Sequence, residues 1–230
     1  MKTYSFGGTE SLGQFQKFIE NVYALPDDRL YSIWDILTQQ QRFTMRALKG
    51  IRKGSVEKLK LNLLIAFSWL MAASNRMHIN LEEEVWKRFP YLCSYCGSAP
   101  CECKKIKPKS RPKLVIDESK SPASLAGVQE MFESIYPSST RTLADAGVHL
   151  AEEMGEVSEA IHNYLGEHRG EQFDEIALEM ADFVSCVMGV ANSAKIDMAD
   201  ELALMYSNNC HICHQAPCIC TFAAVATLKT

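Results

Sequence analysis

Two short stretches carry carboxylates at helical spacing: Ala151-Glu152-Glu153-Met154-Gly155-Glu156 and Glu179-Met180-Ala181-Asp182. On a helix, Glu152 and Glu156 stand at i,i+4, and Glu153 and Glu156 at i,i+3. Glu179 and Asp182 form a second i,i+3 pair. The 22 residues between Glu156 and Glu179 suffice for an antiparallel helix pair that brings both motifs level. Five carboxylates on one spot repel one another and raise their own pKa values unless a divalent cation sits among them. All-oxygen ligands favour Mg²⁺ or Mn²⁺ over zinc. Taken alone, an EExxE face reads as solvated surface. Asp182, however, lies within Ile176-Ala177-Leu178-Glu179-Met180-Ala181-Asp182-Phe183-Val184, where its neighbours belong in a core. A carboxylate there needs a partner, and a metal supplies one.

Something must hold those helices. At 230 residues the chain can build one large domain or two of about 110 residues. Its 47% hydrophobic and 23% charged residues are ordinary for a globular protein. The first residues carry no apolar signal region, and the apolar run around Leu61 to Ala73 is too short to span a bilayer. A cytoplasmic, non-membrane protein is therefore expected, in which nine cysteines point to metal sites rather than disulfides. The net charge of −4 conceals a split. Residues 1–116 hold 19 Lys and Arg against 10 Asp and Glu, whereas residues 117–230 hold 5 against 18. Halves of opposite charge attract, and a basic half also suits an anionic ligand.

The chain repeats itself. At an offset of 117, Cys93, Cys96, Cys101 and Cys103 fall on Cys210, Cys213, Cys218 and Cys220, and Ala99-Pro100 falls on Ala216-Pro217. Leu61, Met71, Asn75, Ile79 and Glu84 likewise meet Leu178, Met188, Asn192, Ile196 and Glu201. Further upstream, at an offset of 113, Leu12, Gln16, Glu20 and Tyr23 meet Leu125, Gln129, Glu133 and Tyr136. This reads as a tandem duplication. Periodicity predicts helices near 10–23, 28–48, 56–77 and 81–89, and again near 123–136, 140–165, 171–194 and 198–207. Asn80 with Glu83 resembles a capping box, and Asp197 an N-cap. No stretch alternates with period 2, so the fold class expected is all-α. The domain boundaries follow: a helical unit over 1–103 ending in a cysteine loop at 91–103, a basic Pro/Lys linker over 104–122, a second unit over 123–220 with its loop at 208–220, and a frayed tail over 221–230. The linker's lysines could touch nucleic acid, but no aromatic residues are interleaved for stacking.

Each cysteine loop reads C-x₂-C-x₄-C-x-C, four thiols within eleven residues. Such a set can close a tetrahedral shell, which is what structural zinc requires, and two zinc ions are expected. An iron–sulfur cluster or redox-active thiols are the alternatives. A full Cys₄ shell leaves no open position, so the loops should staple helix ends rather than react. His211 and His214 face Ser94 and Gly97 in the repeat and are read as bystanders. Cys186, alone in an apolar helix, is read as a small core residue.

The pattern EExxE followed by ExxD on adjacent helices resembles the MazG-like, all-α nucleoside triphosphate pyrophosphohydrolase superfamily. The resemblance covers about residues 123–207 and includes the ending Ala191-Asn192 followed by Ile196-Asp197. It implies that Glu152, Glu153, Glu156, Glu179 and Asp182 ligate Mg²⁺ (or Mn²⁺), with Glu153 as the group that orients or deprotonates the attacking water. The implied substrate is a nucleotide, and the implied reaction is hydrolysis of a (d)NTP to its monophosphate and pyrophosphate. In the first unit the matching positions are Asp35, Ile36, Gln39, Asn62 and Ile65, which cannot hold that site. Relatives often pair two subunits, so an intramolecular pseudo-dimer is expected, sufficient alone or able to associate again as a homo-oligomer. The cysteine loops replace a basic stretch that holds phosphate in relatives. That leaves the substrate-binding residues unassigned, with Lys195, Arg42, Arg46, Lys49, Arg52 and Lys53 as candidates, each of which by itself reads as solvated surface. The rival readings are a non-catalytic zinc-stapled interaction module and a nucleic-acid-binding module acting through the basic half.

Overall fold

The structure is a computed structural model and describes residues 3–105, 108–226 and 228. Among these the regular elements are all helical. Four helices come from the first half: α1 (Leu12–Leu30), α2 (Ile33–Arg52), α3 (Val56–Arg76) and α4 (Leu81–Arg88). Four follow in the second: α5 (Leu125–Ile135), α6 (Leu143–Glu167), α7 (Gly170–Ala194) and α8 (Met198–Met205). A short α9 (Phe222–Ala226) closes the chain, where fraying was expected. The linker holds only a 3₁₀ turn at Glu118–Lys120, and Ile106 and Lys107 lie outside the described residues.

Local chemistry sets the boundaries. Reciprocal capping boxes open α1 (Ser11 with Gln14), α2 (Ser32 with Asp35) and α6 (Thr142 with Asp145). Asp197 caps α8 as expected. At α4 only half of the expected box forms: Asn80 accepts from the Glu83 amide, while the Glu83 carboxylate turns to Lys87. The first helix runs to Leu30, seven residues past its expected end and through Pro26. Proline has no N–H to offer the carbonyl four residues back, at Val22. The Cys218 amide takes that acceptor at 2.8 Å, so a residue from the far end of the chain makes the longer helix tenable.

The α2–α3 and α6–α7 hairpins pack on each other through α2 against α6 and α3 against α7. Gly147 permits the first crossing, since a Cβ there would lie 2.9 Å from Ile51 Cδ1. Helix α1 lies on α3 and α5 on α7, whereas α4 crosses over to α7 and α8 to α3. One hydrophobic cluster runs through both halves. The same polar lock occurs twice inside it. Gln16 bonds Asn75 and the Ile79 carbonyl and accepts from the Leu81 amide; Gln129 does the same with Asn192, Ile196 and Met198. Among the described residues α7 alone is long and apolar enough to cross a membrane by composition. Here it is a core helix, mostly buried, and it carries Glu179 and Asp182.

Candidate active site and metal centres

Glu153 on α6 meets Glu179 and Asp182 on α7, with one oxygen of each lying within 4.8 Å of the others. The helix pair is antiparallel and level, as the spacing predicts. All three side chains are partly withdrawn from water, and Glu153 Oε2 and Glu179 Oε2 are buried without a hydrogen-bond partner among the described residues. Burial and then the neighbouring carboxylates push Glu153 up to about 8 and Glu179 up to about 7. Buried acceptors of this kind are unfavourable unless something satisfies them. The donor set, three carboxylates and no thiol or imidazole, fits a hard divalent cation.

Of the five carboxylates expected to converge, three do. Glu156 stays exposed at the rim, close enough to interact with Glu179. Glu152 is not brought in. One residue before Glu153, it is turned about 100° around the helix and pairs with His149 at 3.1 Å, 58% exposed. The cluster opens into a groove of about 400 Å³ along α6 and α7, lined by Glu156, Glu159, Ala160, Asn163, Gln172, Glu175 and Glu179.

The cation that does reach the cluster was missed by the sequence reading. Arg88, at the last turn of α4, crosses from the first half and forks onto Asp182, with Nε 3.0 Å from Oδ1 and Nη2 2.6 Å from Oδ2. Both side chains are largely buried, at 11% and 16% exposure. Burial works against the Arg88 charge, but Asp182 and Glu179 outweigh it and raise its pKa. A second arginine, Arg141, lies against Gly189 of α7 at a distance that excludes any Cβ there, donating to the Tyr136 carbonyl. Its Nε is buried without a partner. The only advance signal of Arg88 was the basic excess of the first half, and Arg141, in the acidic half, had none.

The cations named in advance lie elsewhere. Lys195 is the exposed C-cap of α7, thirteen residues beyond Asp182 and thus roughly 20 Å along the helix. Arg42 and Arg46 hold the tail through the carbonyls of Val225 and Leu228. Lys49, Arg52 and Lys53 are exposed at the end of α2. The counterparts of the cluster are sealed: Ile36 and Ile65 are buried, and Asn62 turns its amide back to the Lys58 carbonyl. Asp35 is spent on its own helix cap.

The two cysteine sets are each gathered to one point. A tetrahedral zinc–thiolate shell has sulfur–sulfur edges of about 3.8 Å, given a Zn–S bond near 2.3 Å. The observed pairs are 3.8 Å (Cys93–Cys103), 3.9 Å (Cys96–Cys101), 3.8 Å (Cys210–Cys220) and 3.8 Å (Cys213–Cys218). The residues therefore fit zinc. The loops do more than staple their own helices, because each docks on the opposite half. Cys101 N donates to the Ile135 carbonyl of α5, and Cys218 N to the Val22 carbonyl of α1. The Tyr136 hydroxyl donates to Cys93 Sγ at 3.4 Å, and Tyr23 occupies the equivalent place beside Cys210. His211 contacts Tyr23, and His211 and His214 stay outside the thiol cluster, as does the half-buried Cys186.

Among the described residues the regular elements are all helical, and a half-buried carboxylate trio beside an acidic groove, met by an arginine, is a donor set that suits a divalent cation. Residues 141–207, which span α6, α7 and α8, match the MazG nucleotide pyrophosphohydrolase domain. These residues are thus similar to a domain whose named activity is nucleotide pyrophosphohydrolysis. No curated protein and no solved structure matches the chain.

Proposed function

We propose that the protein is a Mg²⁺-dependent (Mn²⁺ serving as substitute) pyrophosphohydrolase that splits a (d)NTP into its monophosphate and pyrophosphate. The observation that carries this reading is the pair of buried, unpartnered oxygens of Glu153 and Glu179 beside Asp182. A divalent cation held there by Glu153, Glu179 and Asp182 would neutralise the carboxylates, offset the negative charge of a triphosphate and lower the pKa of a bound water. The protein's own groups divide the remaining work. Glu153, Glu179 and Asp182 are the ligands, and Glu156 and Glu152, at the rim and just outside it, complete the set when their side chains turn inward. Glu153 holds the attacking water in line with the α-phosphorus and receives its proton. Arg88, released from Asp182, takes a non-bridging phosphate oxygen and stabilises charge developing on the leaving pyrophosphate.

The duplicated sequence, the paired Gln16 and Gln129 locks and the reciprocal docking of the cysteine loops support an intramolecular pseudo-dimer in which only the second unit is catalytic. The nine free thiols suit a reducing, cytoplasmic compartment and two structural zinc ions. Metal analysis of the purified protein should return two zinc per chain.

The test is a panel of NTPs and dNTPs with Mg²⁺, products resolved by chromatography, and Glu153→Gln as control. Monophosphate and pyrophosphate from one or a few nucleotides, absent in the control, is the expected result. Orthophosphate as product, or full activity in the control, would overturn the assignment.

A further inference from the structure

Each cysteine loop is fastened to the opposite half in the same way, yet only one of them adjoins a residue of the candidate site. In the first loop Cys101 N donates to the Ile135 carbonyl, and the Tyr136 hydroxyl donates to Cys93 Sγ. In the second, Cys218 N donates to the Val22 carbonyl, and Tyr23 stands beside Cys210. Five residues before Cys93 the chain carries Arg88, which forks onto Asp182. Five residues before Cys210 it carries Met205. The loops are equivalent as fasteners and unequal in what they fasten.

The first loop meets the site at Tyr136, the C-cap of α5. The Tyr136 hydroxyl reaches Cys93, while its carbonyl accepts from Arg141 Nη2 at 3.2 Å. Its ring stands edge-on to Phe89, with 6.3 Å between centroids. Phe89 is buried against Tyr136 and Phe132 and directly follows Arg88, the last residue of α4. Tyr136 also lies close enough to Arg88 and to Asp182 to interact electrostatically with both. Helix ends fray unless the chain beyond them is tied down. Here the tie is a loop whose four thiols fit zinc.

We propose that Tyr136 and the first cysteine loop are positioning groups for Arg88, so that the first thiol cluster governs turnover and the second does not. An arginine that leaves Asp182 for a phosphate oxygen needs a fixed backbone, because misplacing a working group by about 1 Å can cost about 10²-fold in rate. With the loop fastened, Phe89 stays seated on Phe132 and Tyr136, and only the Arg88 side chain moves. With it loose, the last turn of α4 is held from one side, by the buried Val85 and Trp86. The effect on turnover rests on the hydrolase reading, whereas the coupling between loop and Arg88 is measurable without substrate.

Paired variants test it. Tyr136→Phe and Tyr23→Phe each remove the hydroxyl beside one cluster, and each should speed transfer of one zinc ion to a chromogenic chelator about tenfold. Cys96→Ser and Cys213→Ser identify which phase of release belongs to which cluster. Tyr136→Phe should lower kcat about tenfold with KM unchanged, and Tyr23→Phe should change neither. In an Arg88→Gln background Tyr136→Phe should lower turnover no further, since both act through one guanidinium. Arg88→Met, which copies Met205, should speed release from the first cluster alone, because coupling is reciprocal. Equal effects of the two tyrosine variants on kcat, or a full further loss in the Arg88→Gln background, would overturn the proposal. A wild-type protein that turns over no nucleotide sinks the hydrolase reading instead. Zinc release from Arg88→Met then decides the coupling, and an unchanged first phase overturns it.

Discussion

The carboxylate cluster and its counterpart in the first half occupy equivalent places in the repeat and solve opposite problems. Glu153, Glu179 and Asp182 correspond to Ile36, Asn62 and Ile65, and Arg88 on Asp182 corresponds to Met205 beside Ile65. Ile36, Asn62 and Ile65 are at most 3% exposed, and each is either apolar or satisfied within its own helix. Those three positions are at rest without any ligand. The carboxylate region is not, because two acids are forced toward neutrality and two oxygens have no partner. A protein tolerates such a cost where function draws on it, and the apolar version shows that the same helices pack without it.

The comparison can be broken most sharply at the acids. Glu153→Gln and Asp182→Asn should each lower turnover by ~10²–10⁴-fold. Glu153→Gln should leave the melting temperature unchanged or raised, since it removes like-charge repulsion. Asp182→Asn should lower it without unfolding the protein, since it leaves the buried Arg88 without its charge partner. Loss of folding together with loss of turnover in both would mean that the acids are structural. The reverse graft is the next largest effect. Ile65→Asp buries an acid where Met205 replaces Arg88, and should cost ~3 kcal/mol or more in chemical denaturation. Asp182→Ile combined with Arg88→Met, which removes both partners of the buried pair at the matching place, should cost far less.

Arg88→Gln should reduce kcat/KM by about 10²-fold, mainly through kcat, because the group acts where charge develops. An effect confined to KM would place Arg88 in ground-state binding only. The smallest effect concerns pH. Glu153 and Glu179 hold their protons more tightly folded than unfolded, so their stabilising contribution is complete below the ordinary carboxylate pKa. It is lost as pH rises through about 7 to 8. Melting of the Mg²⁺-free protein should therefore show a loss on the order of 1–2 kcal/mol between pH 5 and 8.5 after allowance for solvent screening. Added Mg²⁺ should reverse it, and a variant carrying Gln at both positions should not show it.

Much of the site was legible because it is local. Carboxylates three residues apart must share a helix face, the interval to Glu179 allows one hairpin, and four cysteines within eleven residues can hardly avoid one another. Asn80 and Asp197 likewise marked the starts of α4 and α8, since a cap is read over three positions. What the sequence left undecided all depends on contacts between distant segments. Spacing allowed both Glu152 and Glu153 into the cluster, and only the packing angle of α6 on α7 turned Glu152 outward to His149. Arg88 is 94 residues from Asp182, and nothing in its own neighbourhood distinguishes it from Lys87, which stays with Glu83 and Glu84. Pro26 reads as a helix breaker until Cys218 supplies the donor that α1 lacks there. Residue types and intervals thus determined which groups could meet a metal. The crossing of α4 and of the cysteine loops between halves decided which of them do, because burial and charge partners are properties of neighbours in space.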